Sequence, residues 1–525
     1  MRDHVIAVDV GTGSARAGVV TKTGQLLARC EHPIILSRPQ DDLGEHSSDD
    51  IWAACCIAVK AALQQAGIAP ASIAAIGFDA TCSLVLRDAK GEPLCLNTID
   101  GKGFDTIAWL DHRATQEAAE CSALDHPVLA HNGQIMSPEA EIPKLMWLKR
   151  HRPDLWAKLG HAFDLADFLT WKASGSTARS LCTLTSKWSF FGHTKPGWQQ
   201  DFLTQIGLDD LMVRAGLPHE AVPVGQSIGF LSPDAASALG LDAGIPVAAG
   251  MVDAYAGALG VLGAANLSQP DTHPIALIGG TSSCLIALNP KPTHGYSIWG
   301  PYFGAIFPNL WLSEAGQSAT GALLNHLLRL HGQGGEPTID NHRRVIARIG
   351  ELRALEGAAF AQKLNILPDF HGNRSPFADP GLTGVISGLT LDASFDGLCR
   401  LYWRACVSIA LGLRQILESL TADQHGTVRL HLTGGHVKNP LLVELYTDVT
   451  HYPLMVTDDT DAVLIGTAIN AAAAGRLYAD LTQAGTAMGA KGRLIQPNPA
   501  LKSHYDQDYR RFLTMQRHRA ELNGF

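Results

Sequence analysis

The sequence predicts an α/β protein of two lobes, each a mixed sheet flanked by helices, with ligands held in the cleft between. Three observations carry that expectation. The first is Val5-Ile6-Ala7-Val8-Asp9-Val10-Gly11-Thr12-Gly13-Ser14-Ala15-Arg16-Ala17-Gly18-Val19-Val20. Two apolar runs joined by a short glycine-bearing loop read as a β-hairpin. The second is Pro274 to Leu288, where the same strand, Gly/Ser/Thr turn and strand return half a chain later. The third is length: 525 residues, at roughly 100–200 residues per domain, require two large domains or more.

Composition removes several classes of function. Hydrophobic residues make up 46% of the chain, enough for a substantial core. The formal net charge of −9 leaves no basic footprint, so a nucleic-acid partner is not expected. The 10 cysteines show no C-x-x-C pair and no Cys/His zinc spacing. Such scattered thiols suit a reducing compartment, and a cytoplasmic location is expected. Met1-Arg2-Asp3-His4 leads straight into the first strand, without a secretory leader. No apolar run reaches membrane-spanning length, so no membrane partner is expected.

The tip of the first hairpin has features that phosphates favour. Gly11 and Gly13 permit close backbone approach and tolerate positive φ. Successive N–H groups with the Thr12 and Ser14 hydroxyls can form an anion nest. Asp9, at a strand end, could hold Mg²⁺ through its waters. Arg16 could neutralise a transferring phosphoryl group. A glycine turn with a surface arginine would explain the same residues. No Gly-Lys-Ser/Thr follows, which excludes a Walker A loop.

Thr23-Gly24 reads as a turn and Gln25 to Ala28 as a third strand, making a meander. Asp49 or Asp50 caps a helix whose apolar face is Ile51, Trp52, Cys55, Ala58, Val59 and Leu63. Ile73 to Phe78 is a buried strand. Asp79-Ala80-Thr81-Cys82-Ser83 follows at its end, where open α/β sheets bind ligands, although an ordinary connecting loop has the same look. Asp111, in Trp109-Leu110-Asp111-His112-Arg113, could bind a sugar hydroxyl or cap the helix that follows. Pro143 to Leu148 is helical, with Trp147 in the core. Lys187 reads by default as a solvated lysine. Asp253, in Gly250-Met251-Val252-Asp253, stands where a helix begins; it suits an N-cap or a general base.

A domain boundary falls between Asn266 and Pro274, where turn-forming residues cluster. Beyond it lies the second hairpin, whose turn is Gly279-Gly280-Thr281-Ser282. Glu314 to Leu324 reads as the beginning of a helix, Asp369 to Pro376 as a polar loop, Phe395 to Leu420 as a long helix and Val428 to Leu432 as a strand. Thr433-Gly434-Gly435-His436-Val437-Lys438-Asn439-Pro440 then opens a helix, and a Gly-Gly turn there allows a nucleotide close approach. Ala462 to Ala474, rich in small residues, would let a flat base pack on it. The expected units are an N-terminal lobe over 1–265, a C-terminal lobe over 266–480 and a helical extension over 481–525.

With these pieces in order, the chain resembles the FGGY carbohydrate kinases over nearly its whole length. The motifs that carry the resemblance are Asp9 to Arg16, Gly250 to Asp253, Gly279 to Ser282 and Thr433 to Pro440. The resemblance implies a two-lobed actin-like ATPase fold, ribonuclease H-like in each lobe, with ATP and sugar in the cleft. It implies Asp253 as catalytic base and Asp9 as the carboxylate that organises Mg²⁺. ATP would be held by Gly11, Thr12, Gly13, Ser14, Arg16, Gly280, Thr281, Ser282, Gly434, Gly435, His436 and Asn439. His436 stands where a third glycine is commoner in the family. The Asp79 to Val85 loop is similar to that of the D-ribulokinase branch, as is Lys187 in Thr-Ser-Lys-Trp. Thr81, Cys82, Asp111, Lys187 and Asp253 become the sugar contacts. The implied reaction moves the γ-phosphoryl group of ATP to the terminal hydroxyl of a ketopentose, D-ribulose first. A small-molecule sugar is the expected partner and a homodimer the expected assembly.

Overall fold

The structure, a computed structural model, describes residues 2–265, 272–422, 426–457 and 461–524. The first expected boundary, between 265 and 266, borders a stretch outside the described residues.

Two seven-stranded mixed sheets organise the chain. The first runs Ser227–Phe230, Pro246–Ala248, Ile73–Ala80, His4–Val10, Ser14–Thr21 and Leu26–Pro33, with Met251–Val252 pairing parallel to Ile73–Ala80. The second runs Trp299–Phe303, Trp311–Gln317, Ser283–Asn289, Thr272–Gly279, Thr427–Gly434, Leu454–Thr457 and Gly492–Ile495. The same nucleus recurs in both. An antiparallel hairpin is extended by a third antiparallel strand on one side, and by a parallel strand on the other. The repeated loop chemistry thus belongs to a repeated topology.

The apolar run that opens the chain reads as a strand buried on both faces. Ile6, Val8 and Val10 join the core beneath the helix Ser48–Ala66, while Val5 and Ala7 join the core on the other face. Each such valine or isoleucine side chain contributes about 1.5–3 kcal/mol when fully buried. The helix starts differently from expectation. Its N-cap is Ser47, without a side-chain cap bond. Asp50 accepts the Ile35 N–H at 3.0 Å and Asp49 pairs with Arg87 at 2.9 Å.

Between the two sheets cross the helices Asp253–Leu262 and Ala462–Ala474. Their contact is close because both are built from small residues. A Cβ on Gly466 would lie 1.8 Å from the Ala256 carbonyl oxygen, which only glycine avoids. The 462–474 stretch is therefore a central helix packed on its counterpart, not a wall for a base.

Two further differences bear on the site. Glu314 lies on the strand Trp311–Gln317, and the helix begins only at Gly321. The last 45 residues are not wholly helical, since Gly492–Ile495 pairs with Leu454–Thr457 at the edge of the second sheet. A smaller sheet of Leu159–Asp164, Leu84–Asp88, Thr106–Ile107 and Glu45–His46 carries the 81–83 loop.

Candidate active site

Asp9, Asp79 and Asp253 stand at the carboxyl ends of three strands that meet in one sheet. Asp9 and Asp79 are register partners on parallel neighbours. Asp253 directly follows Val252, which is paired with Ala80. Ligands in open α/β sheets bind beyond such ends. Asp9 and Asp79 are fully buried. Burial is the main force pushing both above the usual carboxylate range; Arg16 opposes the rise at Asp9, and the charge of Asp9 adds to it at Asp79. Asp79 accepts the Thr467 hydroxyl from the central helix, and Arg16 pairs with Asp9. Asp79 Oδ1 and both Asp9 oxygens have no hydrogen-bond partner, the ion pair of Asp9 Oδ2 with Arg16 aside.

Asp253 is not an N-cap. Val252 holds that position, and the Asp253 carboxylate accepts, among the described residues, only the N–H of its neighbour Ala254, at 2.6 Å. Burial pushes Asp253 up; the Ala254 bond, Lys187 and Arg16 oppose the rise, and Glu314 adds to it. That set joins residues from both halves of the chain around one carboxylate.

The first hairpin turns tightly, with Gly11 N–H donating to the Ser14 carbonyl at 3.0 Å. Neither Gly11 nor Gly13 adopts a positive φ. Thr12 is tied to the sugar-side loop through Trp109, whose Nε1–H donates to Thr12 Oγ1 at 2.9 Å. The Trp109 backbone N–H also donates to Ser83 Oγ at 3.1 Å. Trp109 therefore clasps the phosphate hairpin to the Thr81-Cys82-Ser83 loop while remaining 37% exposed. Thr81 and Cys82 are nearly buried.

Lys187 ends the helix Leu181–Lys187 and is not a solvated surface lysine. Burial would lower its pKa, but the acids around it, Cys82, Glu314, Tyr302 and Glu139, outweigh that and hold it protonated. Glu314 accepts from Arg374 Nη2 at 2.7 Å and from the Tyr255 hydroxyl at 3.0 Å. Burial would raise Glu314, yet Arg374, Lys187 and its hydrogen bonds hold it below the usual value. Lys187, Glu314 and Asp253 thus form one charge cluster, a held cation between two carboxylates.

Asp111 is occupied otherwise. It is fully buried, takes the Gly44 N–H at 2.8 Å, and is gripped by Arg113 through Nε at 2.8 Å and Nη2 at 2.7 Å. Arg113 in turn stacks 4.9 Å from the Trp147 ring centre. The structure gives Asp111 an architectural place and leaves Trp109, two residues earlier, partly exposed between Thr12 and Ser83.

The second hairpin ends in exposed Thr281 and Ser282, with Gly280 N–H donating to Ser282 O at 2.8 Å. Gly280 and Thr281 border a cavity of about 710 Å³, within the ordinary range for small-molecule sites. Gly435, His436 and Asn439 lie on one side and Leu324, Ile339 and Ile346 on another. A glycine end and an apolar wall suit a phosphate tail and a flat base. Gly434 has φ +85°, and a Cβ there would stand 2.4 Å from the Gly279 carbonyl. His436 replaces a glycine with a fastener. Its Nε2 lies 2.9 Å from the Gly280 carbonyl and its Nδ1 2.8 Å from the Tyr446 hydroxyl. Burial lowers its pKa to about 4, so the ring is neutral. Asn439 is the N-cap of the helix Pro440–Thr450, its Oδ1 accepting from Leu441 and Leu442.

Asp79, Trp109 and Glu314 were not singled out from sequence. Asp79 needed the strand register, and Trp109 needed a contact 97 residues away. The one readable signal was the position of Asp79 at a strand end.

Among the described residues no group of three or more His, Cys, Asp or Glu side chains converges as a metal cage. The set nevertheless fits Mg²⁺, which takes one or two carboxylates and keeps waters and phosphate oxygens for the rest. Asp9 and Asp79 offer two buried carboxyl oxygens without partners. Two buried carboxyls paired in register favour a cation between them.

Comparison with known proteins agrees with this geometry. Residues 4–260 match the N-terminal domain of the FGGY family of carbohydrate kinases, and residues 275–475 match its C-terminal domain. A human FGGY carbohydrate kinase domain-containing protein is 40% identical over 99% of this chain and 97% of its own length. A D-ribulokinase of Saccharomyces cerevisiae is 33% identical over 89% of this chain and 71% of its own. The structure of a xylulose kinase from Rhodospirillum rubrum superposes with a TM-score of 0.82 at 22% identity, covering 99% of both chains, which speaks for the fold.

Proposed function

Because the chain belongs to the FGGY family of carbohydrate kinases and is an ATP-dependent sugar kinase, we propose that its acceptor is a ketopentose, D-ribulose in the first place. The support is twofold. A D-ribulokinase is 33% identical along most of this chain. The charge cluster around Asp253 also sets a held cation, Lys187, against a held anion, Glu314. A small polyhydroxylated ketone offers a carbonyl and hydroxyls to such a pair.

Phosphoryl transfer is chiefly positioning and charge stabilisation. Asp253 accepts a hydrogen bond from the terminal hydroxyl, orients its oxygen in line with the γ-phosphorus, and takes the proton as the P–O bond forms. Lys187 lowers the cost of keeping Asp253 ionised and holds the sugar. Thr12, Ser14, Thr281 and Ser282, with the N–H groups of the two turns, bind phosphate oxygens. Arg16 stabilises charge on the transferring group. Mg²⁺ near Asp9 and Asp79 would neutralise phosphate charge. Trp109 excludes water from the sugar side by closing over Thr12 and Ser83, which limits wasteful hydrolysis.

Ribulose of the other hand is the second reading, because a Mycolicibacterium smegmatis protein named ribulokinase, with no hand specified, is 28% identical over 98% of the chain. A coupled ADP-release assay across D- and L-ribulose, D- and L-xylulose, ribitol, erythritol and glycerol separates the two. The highest kcat/KM on D-ribulose is expected; activity on glycerol alone contradicts the reading.

A further inference from the structure

Arg16 stands between two carboxylates from opposite halves of the chain. Its Nη2 pairs with Asp9 Oδ2, and its Nη1 lies 4.0 Å from Asp461 Oδ2. Arg29, on the third strand of the first sheet, donates through Nε to that same Asp461 oxygen at 3.1 Å. Arg29 also pairs with Glu31 at 3.0 Å. The other oxygen, Asp461 Oδ1, accepts the Leu464 N–H at 3.3 Å and so caps the central helix Ala462–Ala474.

A cap uses one side-chain oxygen and no net charge, which is why Asn serves as well as Asp. Here the second oxygen is turned to two guanidinium groups across the join between the halves. Arg16 Nε is buried without a hydrogen-bond partner, so the group is not locked into one arrangement by its full set of donors.

We propose that Asp461 is a positioning residue for phosphoryl transfer, sharing Arg16 with Asp9 so that Asp9 can be given up to a divalent cation. The proposal rests on the assignment of Asp9 to the metal seat. A cation drawn to Asp9 repels Arg16, and Arg16 needs another anion nearby if it is to stay over the phosphates. Asp461 is that anion. Arg29 competes for the same oxygen and sets how much of its charge Arg16 feels.

The competition gives opposite signs for two substitutions. Asp461→Asn keeps the cap but removes the charge, leaving Arg16 to Asp9 alone. The Mg²⁺ affinity of the ADP complex then falls roughly three- to tenfold, the scale of one partly exposed charge contact. Arg29→Gln frees Asp461 for Arg16, and Mg²⁺ affinity rises by a similar factor. The experiment titrates Mg²⁺ into the full chain saturated with ADP, by calorimetry and by thermal shift, for wild type, Asp461→Asn, Arg29→Gln and Asp9→Asn. Weaker binding in Asp461→Asn with tighter binding in Arg29→Gln supports the proposal. Unchanged Mg²⁺ affinity in both, with Asp9→Asn weakened, overturns it and leaves Asp461 a cap. An unchanged Asp9→Asn instead removes the metal assignment itself. Arg29 is 40% exposed at its side chain, so its replacement tests the idea without relying on a core substitution.

Discussion

Asp9 and Asp79 are register partners on adjacent parallel strands, both fully buried; burial raises both carboxyls, and the charge of Asp9 pushes Asp79 further up. Two carboxyls in that arrangement are stable when hydrogen-bonded, protonated or joined by a cation. Asp79 is held by Thr467, and its Oδ1 has no protein partner. Asp79→Asn keeps a group that can meet the Thr467 hydroxyl and removes one charge. Mg²⁺ dependence of kcat should shift to about 10–100-fold higher concentration, the usual effect of losing a supporting carboxylate. A titration of initial rate against free Mg²⁺ measures it.

In the proposed function Lys187 is the cation that meets the sugar. Lys187→Met keeps most of the stem and removes the ammonium. A hydrogen bond from a charged group contributes about 1.5–3 kcal/mol, so kcat/KM for the sugar should fall roughly 10–100-fold. KM for ATP should change little, because the nucleotide cavity is bordered by other residues. Initial-rate matrices over both substrates separate the two effects.

His436 predicts a pH dependence of stability. Its folded pKa is lowered to about 4 by burial, against about 6.5 for an unfolded histidine. Between those values the unfolded chain binds a proton that the folded chain does not. Its contribution is therefore full above pH 6.5 and is lost as pH falls toward 4, by about 3 kcal/mol in total. The buried acids contribute with the opposite sign, so the informative quantity is a difference. His436→Gln retains a donor toward the Gly280 carbonyl. It should flatten the acid limb of the stability profile relative to wild type, as read by urea unfolding from pH 7.5 to 4.5.

Asp111 should act on stability before catalysis. Asp111→Asn leaves the Arg113 guanidinium, which is 5% exposed, with Glu45 as its remaining carboxylate. Breaking a buried pair costs about 3–5 kcal/mol when a charge is left uncompensated; with Glu45 still present the loss is smaller. A lowered Tm with an almost unchanged sugar KM is expected from thermal melts and rate assays on the same preparation.

Much of this was legible because local chemistry and global fold agree. The hairpins around Gly11 to Ser14 and Gly279 to Ser282 announce themselves by β-branched runs broken by glycine and hydroxyls. The helix start at Asp253 was readable, but its role as cap or base was not, since that depends on what stands beyond the strand end. Glu314 misled because Glu314, Ala315 and Gln317 are good helix formers. Pairing with Ile286, Leu285 and Ser283 carries them into a strand instead, tertiary context overriding propensity. The contacts of Trp109 and Asp79 were hidden for another reason, although the strand-end position of Asp79 was readable. Their partners, Thr12 and Thr467, are 97 and 388 residues away, and no local pattern encodes such a meeting. His436 could be seen to differ from a glycine, but its grip on Gly280 could not be read before the strands 272–279 and 427–434 were laid side by side.

The central claim is that Asp253 deprotonates the sugar hydroxyl from a seat shared by the two halves of the chain. The direct measurement is kcat of Asp253→Asn beside its ADP affinity. General-base loss costs about 10²–10⁴-fold, so turnover should fall by that factor while ADP binding and Tm stay near wild type. A kcat within a few-fold of wild type, with ADP bound normally, would contradict the account.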